Sequence, residues 1–381
     1  MNTLVKERFL YIDYLRLLVI AFVVMLHLAV TYSAIGSWYY YEPVELDALS
    51  IVAFALFQSF TQGYTMGFMF LLAGFFVPGT YDRKGFLEFI KGRLFRLGIP
   101  TLIYMLVIHP LNTLILSGYY GMESGNLLQT YLHYITSLEF VGSTGPLWFA
   151  LVLLIFSVIY AFVRRLLPEP AAVERTGKLT TSHVMILILV ITAAAFLIRL
   201  VQPIGTSILN LQLCFFAQYI ILFVVGLKAY RNHWLDQINY KWGLGWLKAA
   251  LTLGIIAWLA IIFLGDGMTK GLDPFTGGLN WTSFAYAAWE SFVAVSMSVG
   301  LLALFKERFN QFHKTTKALA DNAFTVYLFH APIIIAICYS MRDIHIAPIL
   351  KFLIACIVCL PTCFAISHFV IRSVPILKRM L

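Results

Sequence analysis

The chain alternates between long apolar stretches and short polar segments over its whole length. Each apolar stretch has about the 20 residues that a helix needs to cross a bilayer core of about 30 Å. Residues 17–41 contain no Asp, Glu, Lys or Arg, and the charged segment before them is like the start of a signal peptide. The apolar run is too long for a signal peptide and lacks a clear small-residue cleavage site, so we expect a retained first helix.

This pattern predicts an all-α, polytopic integral membrane protein with about ten transmembrane helices. The predicted helices occupy approximately residues 9–33, 50–78, 97–118, 147–165, 184–202, 211–229, 246–265, 281–305, 318–340 and 347–371. No hydrophilic domain, internal repeat or low-complexity segment is found, so residues 1–381 are expected to form one domain. Helical spacing of apolar residues also predicts a short surface helix within the connection 118–146.

The basic residues between the predicted helices support this count. The odd-numbered connections hold only Arg199, Lys270, Arg342 and Lys351, and the termini and even-numbered connections hold the rest of the 27 Lys and Arg residues. Because basic residues collect on the cytoplasmic side, both termini are predicted to be cytoplasmic. Five acidic residues of the odd-numbered connections have no basic residue beside them in the sequence: Glu42, Glu45, Asp47, Glu123 and Glu139.

The composition agrees with this class. The chain is 61% hydrophobic and 12% charged, whereas soluble domains are about 45–50% apolar and about 25% charged. A soluble enzyme and a disordered chain are therefore excluded as first interpretations. The net charge of +9 is expected on the cytoplasmic face of a protein in a lipid bilayer, so no nucleic-acid partner is inferred. Cys356, Cys359 and Cys363 share one helical stripe and are interpreted as packing residues, and no metal site is expected.

Three ionisable residues lie along one face of the first helix. His27 follows Arg16 by almost three helical turns, about 16 Å along the axis, and Asp13 lies about one turn before Arg16. The stripe thus joins a cation near the cytoplasmic surface to an imidazole deep in the membrane, where ionisable groups usually face the bundle interior. The alternative is that Arg16 extends to lipid phosphates and His27 is a hydrogen-bonded core histidine.

A second histidine, His330, is predicted near the middle of the ninth helix. Tyr327 lies one turn before it, and Pro332 follows and frees a helix carbonyl that needs a polar partner. His330 is therefore a candidate for catalysis or substrate contact, or a structural partner for that backbone.

Basic residues also cluster before the third helix. Arg93 and Arg96 are neighbours on one helix face, with Lys91 close by. Arginine forks suit a polyphosphate, although the usual accumulation of cytoplasmic basic residues accounts for the same pattern.

Other features carry less information about chemistry. Trp148 is a candidate for polar lining. The run Trp38–Tyr41 at a span end is interpreted as an interfacial aromatic belt. The sequence has no Walker loop, dinucleotide fingerprint, Gly-x-Ser-x-Gly elbow or His-Glu-x-x-His motif. No activated Ser or Cys stands out, so an enzyme here would use direct attack with a histidine base.

In these residues the chain resembles membrane acyltransferase family 3. Five segments carry the resemblance in order: Arg16 with His27, the aromatic and glycine stretch Phe68–Phe76, Arg93 with Arg96, Gly145–Phe149, and Tyr327–Pro332. Ala73 stands where the family commonly has Ser. The compact length and Arg96–Pro100 are most like the subgroup that adds succinyl groups to periplasmic glucans.

The resemblance implies a bacterial inner-membrane O-acyltransferase that uses acyl-CoA as co-substrate and has no tightly bound cofactor. It would move an acetyl, succinyl or similar group to a hydroxyl of an extracytoplasmic or membrane-bound carbohydrate or glycolipid. His27 would act as general base, Arg16 would lie near the entry of the thioester, and Asp13 would orient Arg16. Arg93, Arg96 and Lys91 would hold the donor phosphates, and His330 with Tyr327 would bind the acceptor or the oxyanion.

An alternative function is a transporter, or a lipid or glycan flippase, whose membrane His and Arg residues bind substrate or relay protons. Neither an inverted repeat nor a pair of interrupted spans is visible in the sequence. Substrate flux without an acyl donor would favour this alternative.

Overall fold

The computed structural model describes residues 9–43, 45–120, 127–167 and 179–375, and these residues form an all-α protein. Fifteen α-helices follow one another in the described residues: α1 Leu10–Ser33, α2 Ala48–Arg93, α3 Ile99–Ile103, α4 His109–Ile115, α5 Leu127–Thr136, α6 Trp148–Leu166, α7 Thr181–Arg199, α8 Phe216–Arg231, α9 Trp234–Gln237, α10 Tyr240–Leu264, α11 Gly267–Lys270, α12 Asp273–Thr276, α13 Trp281–Arg308, α14 Lys314–Ser340 and α15 Pro348–Phe369. The helix α5 is the short helix predicted in the connection 118–146.

Nine helices in the described ranges are long and apolar enough to cross a membrane. One of them, Ala48–Ile115, has 68 residues, and a straight helix of that length would extend about 100 Å. It covers the predicted span 50–78 and all but the last three residues of the predicted span 97–118. Gly85 has φ 70° and ψ 176° and breaks the helix between them. Two π-helical turns, Leu94–Gly98 and Tyr104–Ile108, follow this break.

The first helix lies at the centre of the bundle. It packs against α2, α13, α14 and α15. Most of its aliphatic side chains are buried, and Ile12, Leu15, Val19, Val24 and Leu28 are fully so. The polar residues of α1 therefore face neighbouring helices or internal space.

The helices α2 and α8 cross with their backbones in close contact. A Cβ added at Gly226 would lie 2.2 Å from the carbonyl oxygen of Leu71, and one at Gly74 would lie 2.4 Å from that of Phe223. Small residues allow membrane helices to approach in this way. Gly74 belongs to the stretch Phe68–Phe76, so part of that motif has a packing role.

Two basic residues that were predicted to lie in external connections are buried instead. Lys351 is fully buried in the first turn of α15 and pairs with Glu42, with 2.5 Å between Nζ and Oε1. Arg199 is fully buried at the end of α7 and pairs with Glu290 of α13. The prediction that Glu42 has no basic neighbour holds only for the sequence, because its partner lies 309 residues away. Lys270 and Arg342 remain exposed at the surface.

Candidate functional site

Three parallel rings meet where the end of α1 contacts α14. The His27 ring stacks on the Trp38 indole with 3.8 Å between centroids, and it lies 5.3 Å from the His330 ring. The interplanar angles of these contacts are 17° and 16°. Trp38 belongs to the connection between α1 and α2, so three separate parts of the chain assemble this cluster. We refer to His27, Trp38 and His330 as the ring cluster.

Backbone hydrogen bonds determine which nitrogen of His330 carries the proton. Its Nδ1 lies 2.8 Å from the carbonyl oxygen of Tyr327 and 3.3 Å from that of Val326. Since a carbonyl oxygen only accepts, Nδ1 must donate, and the neutral ring then has its lone pair on Nε2. The carbonyl that Pro332 frees belongs to Leu328, so His330 is not the partner of that group.

The ring cluster contains three buried polar atoms that make no hydrogen bond to any described residue: Nδ1 of His27, Nε1 of Trp38 and Nε2 of His330. Buried polar atoms are nearly always hydrogen-bonded, so each unpaired one requires an explanation. The indole nitrogen can only donate, and Nε2 of the His330 tautomer can only accept. The cluster therefore offers both kinds of hydrogen bond to a polar substrate.

A hydrogen-bonded network lies beside the ring cluster and contacts it through the ring of Tyr39. The ring of Tyr39 meets that of Trp38 edge to face at 5.2 Å. The Tyr39 hydroxyl lies 2.9 Å from Nδ1 of His109 and 3.1 Å from the Tyr104 hydroxyl, and Asn112 donates to Tyr104 over 3.2 Å. Burial raises the pKa of Tyr39 to about 12, so this hydroxyl stays protonated at neutral pH. The network leaves Oδ1 of Asn112 buried without a partner in the described chain.

A cavity of about 540 Å³ lies on the side of the ring cluster away from the Tyr39 network. Its cationic part is formed by Arg16, Lys84, Arg93 and Arg96. Lys84 and Arg96 are exposed to solvent, so this part is the mouth of the cavity. The walls further in are mainly apolar and include Met66, Met69, Phe149 and Leu153.

The inner end of the cavity approaches both histidines without including them. Val23 and Tyr327 line it, and each lies about one helical turn before a histidine of the ring cluster, Val23 before His27 and Tyr327 before His330. Arg16 therefore lies on the cavity, and His27 lies about one helical turn beyond the residues that line it. The Tyr327 hydroxyl donates to the Pro146 carbonyl oxygen, so it is already engaged.

Local contacts orient the cations of the cavity. Arg16 lies 3.7 Å from a carboxylate oxygen of Asp13, as the sequence predicts, and its guanidinium lies 4.8 Å from the centre of the Phe76 ring. The Arg93 guanidinium lies 5.0 Å from the centre of the Phe89 ring. Stacking on aromatic rings restrains these long side chains and leaves their N–H groups available to an anion.

Two of the predicted residues lie elsewhere. Lys91 is exposed, pairs with Glu88 at 3.0 Å, and is not among the residues that line the cavity. Trp148 stacks on Tyr219 at 5.4 Å and also does not line it. Lys84 lies on the cavity in place of Lys91, and Ala73 also lines it at the position where a serine would be common.

The sequence interpretation did not include Trp38 or Lys84 among the site residues, although Lys84 belongs to the basic cluster before the third predicted helix. Trp38 was assigned to an interfacial belt because it stands in a run of aromatic residues, but the structure stacks it on a histidine. Lys84 precedes Gly85, whose left-handed backbone turns the chain at the mouth of the cavity. The dipeptide Lys84-Gly85 was a usable signal for a bend, because glycine is the default residue where φ is positive.

Comparisons with known proteins give one match. A family model described as an acyltransferase domain (Acyl_transf_3) matches residues 9–368 of the chain. No curated protein and no solved structure matches it significantly.

Proposed function

Because the chain belongs to this acyltransferase family, we propose that it transfers an acyl group from acyl-CoA to a hydroxyl of a carbohydrate or glycolipid, with His27 as general base. The protein is a membrane acyltransferase with several membrane-spanning helices. The donor would enter from the cytoplasm and the acceptor from the opposite side, which fits a bacterial inner membrane. The observation that carries this proposal is a cationic cavity that ends one helical turn from two histidines with unpaired nitrogens.

The mouth of the cavity suits the phosphates of coenzyme A. Arg16, Lys84, Arg93 and Arg96 place four cations around one space, and guanidinium groups bind phosphate oxygens in a forked geometry. The apolar walls beyond them suit the uncharged pantetheine arm. The thioester would then lie near the inner end, close to His27.

The ring cluster supplies the groups that the reaction needs. His27 would accept the proton of the acceptor hydroxyl while the oxygen bonds to the thioester carbonyl carbon. The carbon–sulfur bond then breaks, and the imidazolium returns the proton to the leaving thiolate. Nε2 of His330 would accept a hydrogen bond from the acceptor. Since that atom cannot donate and the Tyr327 hydroxyl is engaged, neither of them is our candidate for binding the oxyanion.

A labelling experiment distinguishes this function from transport. Purified protein in liposomes would be given radiolabelled acetyl-CoA or succinyl-CoA together with envelope glycans. We expect donor-dependent labelling of a glycan, or slow thioester hydrolysis, and the loss of either in His27→Ala. Substrate flux across the liposome membrane without any acyl donor would instead support the transporter.

Lys84 lies at the mouth of the cavity and Lys91 does not, so their variants should differ in the KM for acyl-CoA. We expect Lys84→Gln to raise the KM for acyl-CoA by about tenfold, the effect of losing one charged hydrogen bond to a phosphate. The matched variant Lys91→Gln should change it by less than about twofold, because an exposed ion pair contributes little. Steady-state kinetics with varied acyl-CoA measures both values. A larger effect at Lys91 than at Lys84 would contradict the proposal that the cavity mouth binds the donor phosphates.

A further inference from the structure

The connection between α1 and α2 is held in place by a buried ion pair at its far end. Glu42 and Lys351 are both buried, and Nζ of Lys351 also donates to the Ile344 carbonyl oxygen over 2.7 Å. The Glu42 backbone N–H donates to the carbonyl oxygen of Thr31 over 2.9 Å. The ion pair therefore joins the connection to the first turn of α15, and the backbone hydrogen bond joins it to the last turns of α1.

The same connection carries Trp38 and is closed by its own side chains. The backbone N–H of Trp38 donates to the Tyr41 hydroxyl over 2.7 Å, and that hydroxyl in turn lies 3.3 Å from the Gly36 carbonyl oxygen. Tyr40 is buried and packs edge to face on the ring of Tyr339 at 5.6 Å. These contacts link Trp38 to Tyr41, and Glu42 follows Tyr41 directly in the chain, so a shift of Glu42 would be transmitted to Trp38.

A buried ion pair is weak evidence for stability, because the cost of removing both charges from water offsets their attraction. A role in fixing one geometry accounts better for its presence at this position. The geometry it fixes is the contact of the Trp38 indole with the His27 imidazole at 3.8 Å. The indole N–H is buried, unpaired within the described residues and close to the proposed base.

We propose that Trp38 contacts the substrate through its indole N–H, as donor to the reacting carbonyl oxygen, and that the Glu42–Lys351 pair is the positioning device that holds Trp38 against His27. The first part rests on the proposed acyl transfer, whereas the second concerns the folded chain alone. A developing oxyanion needs a preorganised donor, and Trp38 offers one that neither Tyr327 nor His330 supplies. Glu42 and Lys351 act through Trp38 and are positioning residues.

The first test removes the N–H and keeps an aromatic ring. Trp38→Phe should lower kcat by about 100-fold, the usual effect of losing one oxyanion donor, with the KM for acyl-CoA unchanged. A kcat close to that of the unmodified protein would overturn the substrate contact.

The second test neutralises the ion pair without leaving a buried charge. In Glu42→Gln/Lys351→Met we expect kcat to fall by about tenfold, because a small misplacement of a catalytic group is costly. The rate at which diethyl pyrocarbonate modifies His27, followed by mass spectrometry of its peptide, should rise by about fivefold as the indole moves away and exposes the imidazole more often. Adding the same double change to Trp38→Ala should alter either readout by less than about twofold, since the coupling then has no target.

The other buried ion pair provides the matched control. Neutralising it in Arg199→Met/Glu290→Gln removes a pair of the same type between α7 and α13, and the modification rate of His27 should stay within about twofold of the unmodified protein. An equal rise in that control, or additive effects with Trp38→Ala, would overturn the positioning role. Modification of His27 needs no turnover, so it tests this role even if the protein transfers no acyl group.

Discussion

His27→Ala is expected to lower the rate of acyl transfer by at least about 1,000-fold, within the range for loss of a general base, while the protein still inserts and folds. The imidazole is half-buried, and its Nδ1 makes no hydrogen bond to the described chain. Its removal therefore breaks no side-chain hydrogen bond that holds the fold together. The stacking contact with Trp38 is lost, which should cost modest stability.

The measurement is turnover of labelled acyl-CoA by purified protein, with the elution profile and the melting temperature in detergent as checks of folding. His345→Ala is the matched control, because this histidine is exposed in the connection before α15. It should retain full activity. Transfer by the folded His27→Ala protein at a tenth or more of the normal rate would refute the assignment of the base.

Gly226→Ala is expected to destabilise the folded protein by about 3 kcal/mol, the upper part of the range for overpacked cores. The added Cβ would lie 2.2 Å from the Leu71 carbonyl oxygen and 2.9 Å from the Phe75 nitrogen. Both are backbone atoms of α2, so no side chain can rotate away to relieve the contact. The α2–α8 crossing has to open, and it carries Ala73 and Met69 on the wall of the cavity.

Gly245→Ala offers the same chemical change in open space, because nothing lies within 4 Å of the Cβ position at Gly245 in α10. Helix propensity favours alanine there by roughly 1 kcal/mol. Thermal unfolding in detergent, read by size-exclusion chromatography after heating, should separate the two variants clearly. Equal melting temperatures would show that the crossing tolerates a methyl group.

The sequence is sufficient for features that depend on one helix at a time. Apolar runs predict the all-α class, which is confirmed, and helical spacing predicts that Arg16 and Asp13 lie together, as they do. The cluster of Arg93 and Arg96 is local in the same sense, and both line the cavity.

Features that depend on how helices meet are not predictable in this way. Hydropathy treats Arg199 and Lys351 as loop charges, because nothing local shows that Glu290 and Glu42 pack against them. The choice between Lys91 and Lys84 depends on the bend at Gly85, since a continuous helix would place both lysines, seven residues apart, on the same face. Trp38 lies near His330 only through a contact between segments about 290 residues apart in the sequence.

The bend at Gly85 has a consequence for the size of the entrance. Lys84 precedes Gly85 and Arg93 follows it in the same helix, so the two cations lie on either side of the bend. A Cβ at Gly85 would meet no atom within 4 Å, so only the left-handed backbone, φ +70°, disfavours other residues there. The backbone torsions of Gly85 therefore influence how far apart these two cations lie, and with it the width of the entrance between them.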